Sequence, residues 1–342
     1  MRKLLLSASA LAVASIGFAT VADAVVNIQN TGSGARSMAM GNSFVAVADD
    51  ADAVFANPAG VGGIENKAIA YTNVSLLYGG IDGDNLGQHV VSYVQPLGSK
   101  LGLGLGFERI GSNLMSENGA FLSLALKLGK NLNLGVNGKY LFWKVDTIPD
   151  DPVTGADDLS GASAGAIGLD LGLLWQSPVK GAKVGLMLKN LNEPNVAKGT
   201  VLKADGSKDS DAGKLPMDLH LGVGYQVNPK SLLSVQWVVQ DMTASSVDVP
   251  TGEMQEDGVT PKTTSESSRT TKLVVGGETR LVQGLMLRAG GSRFFEDDAS
   301  GELNAGMGYA WSDNMSFDYS YHIPLDLVET NGAHRFSLGY QF

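Results

Sequence analysis

The chain has 342 residues, no cysteine, 44 glycines and a formal net charge of −10 at pH 7. The acidic balance argues against nucleic-acid binding, which needs a basic face. The lack of cysteine excludes disulfides, thiolate metal sites and a cysteine nucleophile. After the N-terminal region, no run reaches the roughly 18 apolar residues of a membrane-spanning helix.

The N-terminus predicts a secretory signal peptide over residues 1–24. Arg2 and Lys3 precede an apolar stretch, and residues 22–24 form an A-x-A cleavage site. The alternative, an N-terminal transmembrane helix, is disfavoured because the stretch is short for a bilayer span. Removal of the signal leaves 23 basic residues (25 less Arg2 and Lys3) and 34 acidic residues (35 less Asp23), a net charge of −11.

Residues 25–68 follow the signal and lack the alternation of the later chain. Asp49 or Asp50 is expected to cap a short helix over residues 51–55. Asn57 is expected to end this helix, because a residue before proline is pushed out of the helical region. The glycines that follow predict a flexible connection to the first strand.

From Ile69 to Phe342 the chain reads as a succession of amphipathic strands, with apolar residues alternating with small or polar ones. In residues 101–108, leucines and a phenylalanine share one face, and three glycines and Glu108 share the other. Each segment has about 9–12 residues, the length that a tilted strand needs to cross a bilayer.

The gaps between these strands alternate between long and short. The long or polar gaps are 80–87, 112–119, 146–163, 192–216, 243–268, 294–300 and 324–331. The tight turns are 97–100, 129–131, 177–181, 228–230, 282–284 and 312–313. Outer-membrane barrels have short periplasmic turns and longer extracellular loops, so the pattern predicts an all-β antiparallel transmembrane barrel of about 14 strands. The alternative, a soluble barrel or sandwich, lacks a second layer to cover so many leucine-rich faces.

Two further features fit a barrel in the outer membrane. Phe336, Leu338 and Tyr340 share one face with the terminal Phe342. This ending resembles the C-terminal signal that the barrel-assembly machinery reads. The machinery is therefore an expected partner, together with outer-membrane lipid and lipopolysaccharide. Aromatic residues towards strand ends are expected to form interfacial girdles, and they are Tyr78, Tyr93, Phe142, Trp143, Trp175, Trp237, Trp311, Tyr319 and Tyr321.

The segment before the barrel carries a more specific resemblance. It contains Gly-Ala-Arg-Ser-Met-Ala-Met-Gly, Phe-Val-Ala-Val-Ala-Asp-Asp-Ala and Asn-Pro-Ala-Gly, and the chain ends His-Arg-Phe-Ser-Leu-Gly-Tyr-Gln-Phe. These residues resemble the FadL-type outer-membrane transporter superfamily, and most closely its PorV/PorQ and UPF0164-like branch. The resemblance implies a 14-stranded barrel with residues near 34–63 folded inside as a plug, or hatch. It also implies a hatch role for Asn57, Pro58 and Ala59.

The predicted domains are therefore a signal peptide over 1–24, a hatch over 25–68 and a transmembrane β-barrel over 69–342. Charges inside a narrow lumen are costly when they lack partners, so inward-facing charges are expected to pair with the hatch. The residues of this hatch–lumen charge pairing are Arg36, Asp49, Asp50, Asp52, Glu108, Lys139, Arg280 and Arg288.

No catalytic constellation is evident in the chain. The four histidines are scattered, and the sequence has no Gly-x-Ser-x-Gly elbow and no metal-spaced pair. We therefore expect no enzyme activity, no cofactor and no bound metal. The long loops are acidic, which is typical of a solvated surface or, alternatively, of divalent-cation bridging to lipopolysaccharide phosphates.

Two functions remain open for an outer-membrane protein of a Gram-negative bacterium. The first is passive transport of a hydrophobic small molecule, favoured by the hatch and by glycine-rich walls such as 101–106, which are expected to leave room inside. The alternative is a PorV/PorQ-like component that docks or shuttles secreted proteins, as in type IX secretion, and it is favoured by loops too polar to form an apolar groove. A general porin is disfavoured because a hatch would block the current.

Overall fold

The computed structural model describes residues 32–76, 86–147, 160–197, 213–244, 247–254, 261–266, 269–296, 301–325 and 332–342. The predicted signal peptide, Tyr78 and most acidic loop residues lie outside these ranges. Within them, no helix combines the length and the hydropathy needed to cross a membrane.

A closed antiparallel barrel of 14 strands forms the body of the molecule, which confirms the predicted fold class. Its strands are β1 (Ala68–Ser75), β2 (Gly87–Leu97), β3 (Leu101–Gly111), β4 (Met115–Leu128), β5 (Leu132–Val145), β6 (Ser163–Gln176), β7 (Ala182–Lys189), β8 (Asp218–Asn228), β9 (Ser231–Gln240), β12 (Thr270–Val282), β13 (Leu285–Phe294), β14 (Gly301–Ala310), β15 (Met315–Pro324) and β16 (Ala333–Gln341). β9 pairs with β12, and β16 pairs with β1 to close the sheet.

Two further strands, β10 (Val247–Met254) and β11 (Pro261–Glu266), pair with each other in a separate two-stranded sheet. They lie in the connection between β9 and β12, where the sequence pattern indicated only a polar loop. Their composition lacks the long alternation of the barrel strands, so they do not stand out from the surrounding loop.

The strand connections differ between the two ends of the barrel. We call one the long-loop end, with connections 76–86, 112–114, 146–162, 190–217, 241–269, 295–300 and 325–332. We call the other the short-turn end, with connections 98–100, 129–131, 177–181, 229–230, 283–284 and 311–314. The predicted gap at 112–119 is wrong, since β4 begins at Met115. Residues 116–118 are polar but pair with β3 and β5. Glu117 faces the lumen, where a barrel wall accepts polar side chains, and the Asn118 amide donates to the Ser116 hydroxyl at 3.3 Å.

The outward face of the strands is apolar. On β3, Leu101, Leu105 and Phe107 are 49%, 46% and 42% exposed, while inward Gly102 and Gly104 are buried. Apolar surface left in water forgoes roughly 25 cal/mol per Å². A continuous face of this kind therefore matches lipid, as in outer-membrane barrels.

The hatch lies inside the barrel and contains α1 (Ala35–Ala39), α2 (Ala53–Ala56) and a 3-10 helix (Pro58–Gly63). The helix expected over 51–55 begins later, because the Asp50 carboxylate accepts the Asp52 N–H and forms a turn there. Asn57 ends α2 in an extended conformation, as its position before proline predicted. The 3-10 helix replaces the expected flexible connection.

Trp143 differs from its expected place in an aromatic girdle. It alternates with outward Tyr140 and Phe142 on β5, so it faces the lumen, where it is 1% exposed. Its Nε1 donates to the carbonyl oxygen of Val196 at 2.9 Å. Proximity to a strand end therefore does not identify a girdle residue unless the residue is also on the outward face.

Candidate functional site

The interface between the hatch and the inner wall is the candidate functional site, because any path through the barrel must pass it. A Cβ at Gly102 would lie 2.5 Å from the Val61 carbonyl oxygen, and one at Gly135 would overlap the backbone of Pro58 and Ala59. Glycine is thus required for the close approach of two backbones. The glycine-rich wall of β3 does not leave the open space expected from its sequence, because the hatch occupies it.

Asn57 joins the hatch to β6. Its Nδ2 donates to the carbonyl oxygens of Val45, at 2.8 Å, and Leu173, at 3.1 Å, and its Oδ1 accepts from the Ala59 N–H at 3.1 Å. The side chain is fully buried. Loss of such an amide leaves buried polar groups unpaired, at about 1–3 kcal/mol each.

The opposite side of the hatch is held by charge. Arg36 contacts Asp49 at 2.6 Å and Asp50 at 2.9 Å within the hatch, and its Nε lies 3.0 Å from Glu278 Oε2 on β12. The guanidinium also lies over the Phe44 ring, 5.2 Å from the centroid. Arg36 therefore links two hatch carboxylates to the barrel wall.

The charge network continues along the wall. Arg288 on β13 lies 2.5 Å from Glu278 and 2.6 Å from Asp318 on β15, and its side chain is 1% exposed. Glu278 is thus shared by a hatch arginine and a wall arginine. Removing this carboxylate would leave two guanidinium groups without their common partner, which is costly for buried charges.

Four residues of the expected charge pairing have other surroundings. Lys139 forms an ion pair at 2.6 Å with Asp170 of the neighbouring strand. Asp52 accepts a hydrogen bond from the Ser92 hydroxyl at 2.9 Å. Glu108 and Arg280, like Asp52, form no ion pair with a described residue.

The positions of Glu108 and Arg280 along their strands explain this difference. Glu108 lies beyond the hatch on the long-loop side and is 4% exposed. Arg280 is exposed near the short-turn end. Strand parity gives the face of a residue but not its height relative to the hatch.

A cavity lies on each side of the hatch. At the short-turn end, a vestibule of ≈ 440 Å³ is lined by Arg36, Asp49, Asp50 and Arg280, among other residues. On the other side, a smaller cavity of ≈ 50 Å³ has charged lining residues that include Glu108. An apolar cavity of about 150 Å³ binds benzene, so the cavity next to Glu108 is small and polar for a hydrocarbon. No group of three or more His, Asp or Glu side chains in the described ranges is arranged to hold a metal.

The described residues of the connection between β7 and β8, 190–197 and 213–217, contribute to the filling of the lumen from the long-loop end. Val196 and Leu215 are both fully buried, in one apolar cluster with Phe121 and Trp143. The same cluster includes hatch residues. The described residues therefore fill the lumen at the level of the hatch and again towards the long-loop end.

Neutral anchors of the hatch were missed by the sequence reasoning, which concentrated on charges. The Ser43 hydroxyl lies 2.9 Å from the Ser234 hydroxyl, and Gln236 Oε1 accepts two hatch backbone N–H groups at 3.2 and 3.1 Å. The Ala35 N–H donates to Ser337 Oγ at 2.9 Å. The inward parity of these small polar wall residues was the available signal.

Solved structures with the same fold include a hydrocarbon channel, a toluene transporter and a FadL homologue. The monoaromatic hydrocarbon channel CymD is 15% identical, with 91% of this chain and 98% of that chain covered and a TM-score of 0.66. The Ralstonia pickettii toluene transporter TbuX is 18% identical, with coverage of 93% and 99% and a TM-score of 0.63. A Pseudomonas aeruginosa FadL homologue is 16% identical, with coverage of 91% and 98% and a TM-score of 0.53. These likenesses show the fold alone. A comparison with curated protein sequences found no match.

A protein-family model covers most of the chain. The model described as type IX secretion system membrane protein PorP/SprF matches residues 52–340, from within the hatch to the last strand. The resemblance to a FadL-like barrel is confirmed, while the PorV/PorQ branch stays a prediction. The barrel and these matches locate the protein in the outer membrane of a Gram-negative bacterium. The chain belongs to the type IX secretion system membrane protein PorP/SprF family.

Proposed function

We propose that this chain is an outer-membrane component of a type IX secretion apparatus, in which a closed barrel serves as a docking platform for secreted proteins or secretion subunits. The family match supports the assignment to secretion. The filled lumen is the observation that supports the role as a platform. The hatch meets the wall by backbone contact at Gly135 and by the ion pair between Arg36 and Glu278, so the barrel is a single packed body.

The chemistry around the hatch also favours a platform over a path for apolar solutes. The vestibule is lined by Arg36, Asp49, Asp50 and Glu278. A hydrophobic solute would displace water from these charges without replacing its hydrogen bonds, which is unfavourable. It would then have to displace the hatch itself.

Deletion and complementation test the platform role. We expect a strain that lacks the chain to lose proteins normally secreted to the medium, and the wild-type gene to restore them. The tagged protein, solubilised and cross-linked, should co-purify with secretion subunits or secreted proteins, whereas an equally tagged unrelated barrel should not. Normal secretion by the deletion strain would contradict the proposal.

Passive transport of a hydrophobic small molecule is the second candidate, and the fold shared with hydrocarbon channels favours it. It requires the hatch to move. Uptake of labelled monoaromatic compounds by the same deletion strain distinguishes the two functions. Reduced uptake with normal secretion would favour transport, and normal uptake with lost secretion would favour the platform.

A further inference from the structure

The barrel strands separate charge by face. The acidic side chains whose positions are described on these strands all face the lumen, and they are Glu108, Glu117, Asp170, Asp218, Glu278, Glu302 and Asp318. The lysines and arginines on the outward faces of the described strands are Arg109, Lys144 and Arg293, each within the last three residues of its strand before the long-loop end. The outward basic residues of the described barrel strands are therefore all close to the long-loop end.

Arg109 lines an outward groove of ≈ 440 Å³ formed by β1, β2 and β3. Asn73, His89 and Arg109 are successive cross-strand partners, so their side chains lie side by side on the outward face. Ser75 and Ser112 also line the groove. The groove thus gathers an arginine, an imidazole, an amide and two hydroxyl groups.

Each polar side chain of the groove can donate a hydrogen bond. His89 Nδ1 lies 2.9 Å from the Tyr71 hydroxyl and 3.3 Å from the Asn73 amide nitrogen. An amide nitrogen can only donate, so Nδ1 is the acceptor and Nε2 carries the hydrogen. Arg109 forms no ion pair with a described residue, and no carboxylate is among the described lining residues. This is the donor set of an anion site.

The groove lies where the apolar surface of each strand ends. Moving towards the short-turn end, the next outward residues are Tyr71, Val91 and Phe107, and they are 41%, 38% and 42% exposed. The groove is therefore at the level of lipid headgroups. Because outer-membrane barrels carry their longer loops outside the cell, this is the outer leaflet.

We propose that the groove binds a phosphate group of a phosphorylated glycolipid of the outer leaflet, of the lipid A class. Arg109 supplies the paired N–H groups that match two phosphate oxygens, and His89 supplies a further donor. Basic residues at the edge of an apolar surface bind anionic headgroups in this way. The inference does not depend on the proposed role in secretion.

Lipid retention by the full chain tests the groove. The protein is reconstituted in phosphatidylcholine vesicles that contain bisphosphorylated lipid A or lipid A without its phosphates, re-extracted in mild detergent, and examined by native mass spectrometry. We expect wild type to retain the phosphorylated form about 10-fold better, the effect of one charge-assisted contact. Arg109→Gln combined with His89→Gln should remove this preference, and Arg109→Lys should keep part of it.

Arg293→Gln is the matched control, because it removes an outward arginine at the same end of the barrel but outside the groove. It should retain the lipid as wild type does. Heat-modifiable migration on gels checks that every variant is folded. Equal retention of both lipids by wild type, or an undiminished preference in the double variant, would overturn the proposal.

Discussion

The two sides of the hatch are held against the barrel by different interactions. Towards β3–β6, the 3-10 helix packs its backbone on glycines such as Gly135, and Asn57 adds buried hydrogen bonds. Towards β12–β16, Met40 also packs on Gly276, but this side alone adds an ion pair between described hatch and wall residues, Arg36 with Glu278. Close packing of uncharged groups is insensitive to salt and pH, whereas the strength of an ion pair depends on both. Solution conditions can therefore loosen the second side and leave the first in place.

The largest effect is expected on the shape-matched side. Gly135→Val would place a side chain against the backbone of Pro58 and Ala59, which cannot move without lifting the 3-10 helix. We expect a loss of about 3 kcal/mol or more in the free energy of unfolding. Gly138→Val on the same strand is the control, since a Cβ there has no neighbour within 4 Å. Urea unfolding in detergent micelles measures both variants, and equal stability would refute the close packing.

A smaller effect is expected on the charged side. Glu278→Gln would leave Arg36 and Arg288 without their shared carboxylate, at a cost of about 2–4 kcal/mol, because these groups are largely buried. Asp146→Asn, which breaks an exposed pair with Lys144, should cost less than about 1 kcal/mol. Urea unfolding at low and high salt compares the two. An effect of Glu278→Gln no larger than that of Asp146→Asn would contradict a structural role for the Arg36 link.

Asp52 is expected to make the stability of the folded hatch depend on pH. It lies in the hatch, and burial, followed by the nearby Asp50, raises its pKa to about 7 from the ordinary value of 3.8. The folded state holds the Asp52 proton more tightly than the unfolded state does. Asp52 therefore adds its full contribution to the free energy of unfolding below pH 3.8, and this contribution is lost as the pH rises to about 7. We expect the free energy of unfolding to fall by about 1–3 kcal/mol between mildly acidic and neutral pH.

Asp52→Asn tests this dependence and keeps an oxygen that can accept the Ser92 hydrogen bond. The variant should show a flatter pH profile of thermal unfolding, measured in the same detergent. The exposed control Asp146→Asn should leave the profile unchanged. A profile for Asp52→Asn that matches wild type would exclude Asp52 as the titrating group.

The fold was largely predictable from the sequence, and the hatch contacts only in part. The alternation of apolar and small or polar residues along segments such as 101–108 shows directly which face meets lipid. The number of strands and the closure of the barrel therefore follow from the sequence pattern. Contacts such as Ser43 with Ser234 depend on the height at which the hatch crosses each strand. The packing of the hatch backbone on the wall glycines determines that height, and no local sequence pattern predicts this packing. Asp52 and Glu108 were assigned ion pairs for this reason.

A reversible cross-link of the hatch to the wall tests most directly whether the barrel works while closed. The chain has no cysteine, and the Ser43 and Ser234 hydroxyl oxygens are 2.9 Å apart, so cysteines at both positions are within reach of a disulfide. Each single cysteine variant is the control. We expect the oxidised Ser43→Cys, Ser234→Cys protein to support secretion in the complemented deletion strain as well as wild type does. Secretion that stops on oxidation and returns with a reductant would show that the hatch must move, and would contradict a closed platform.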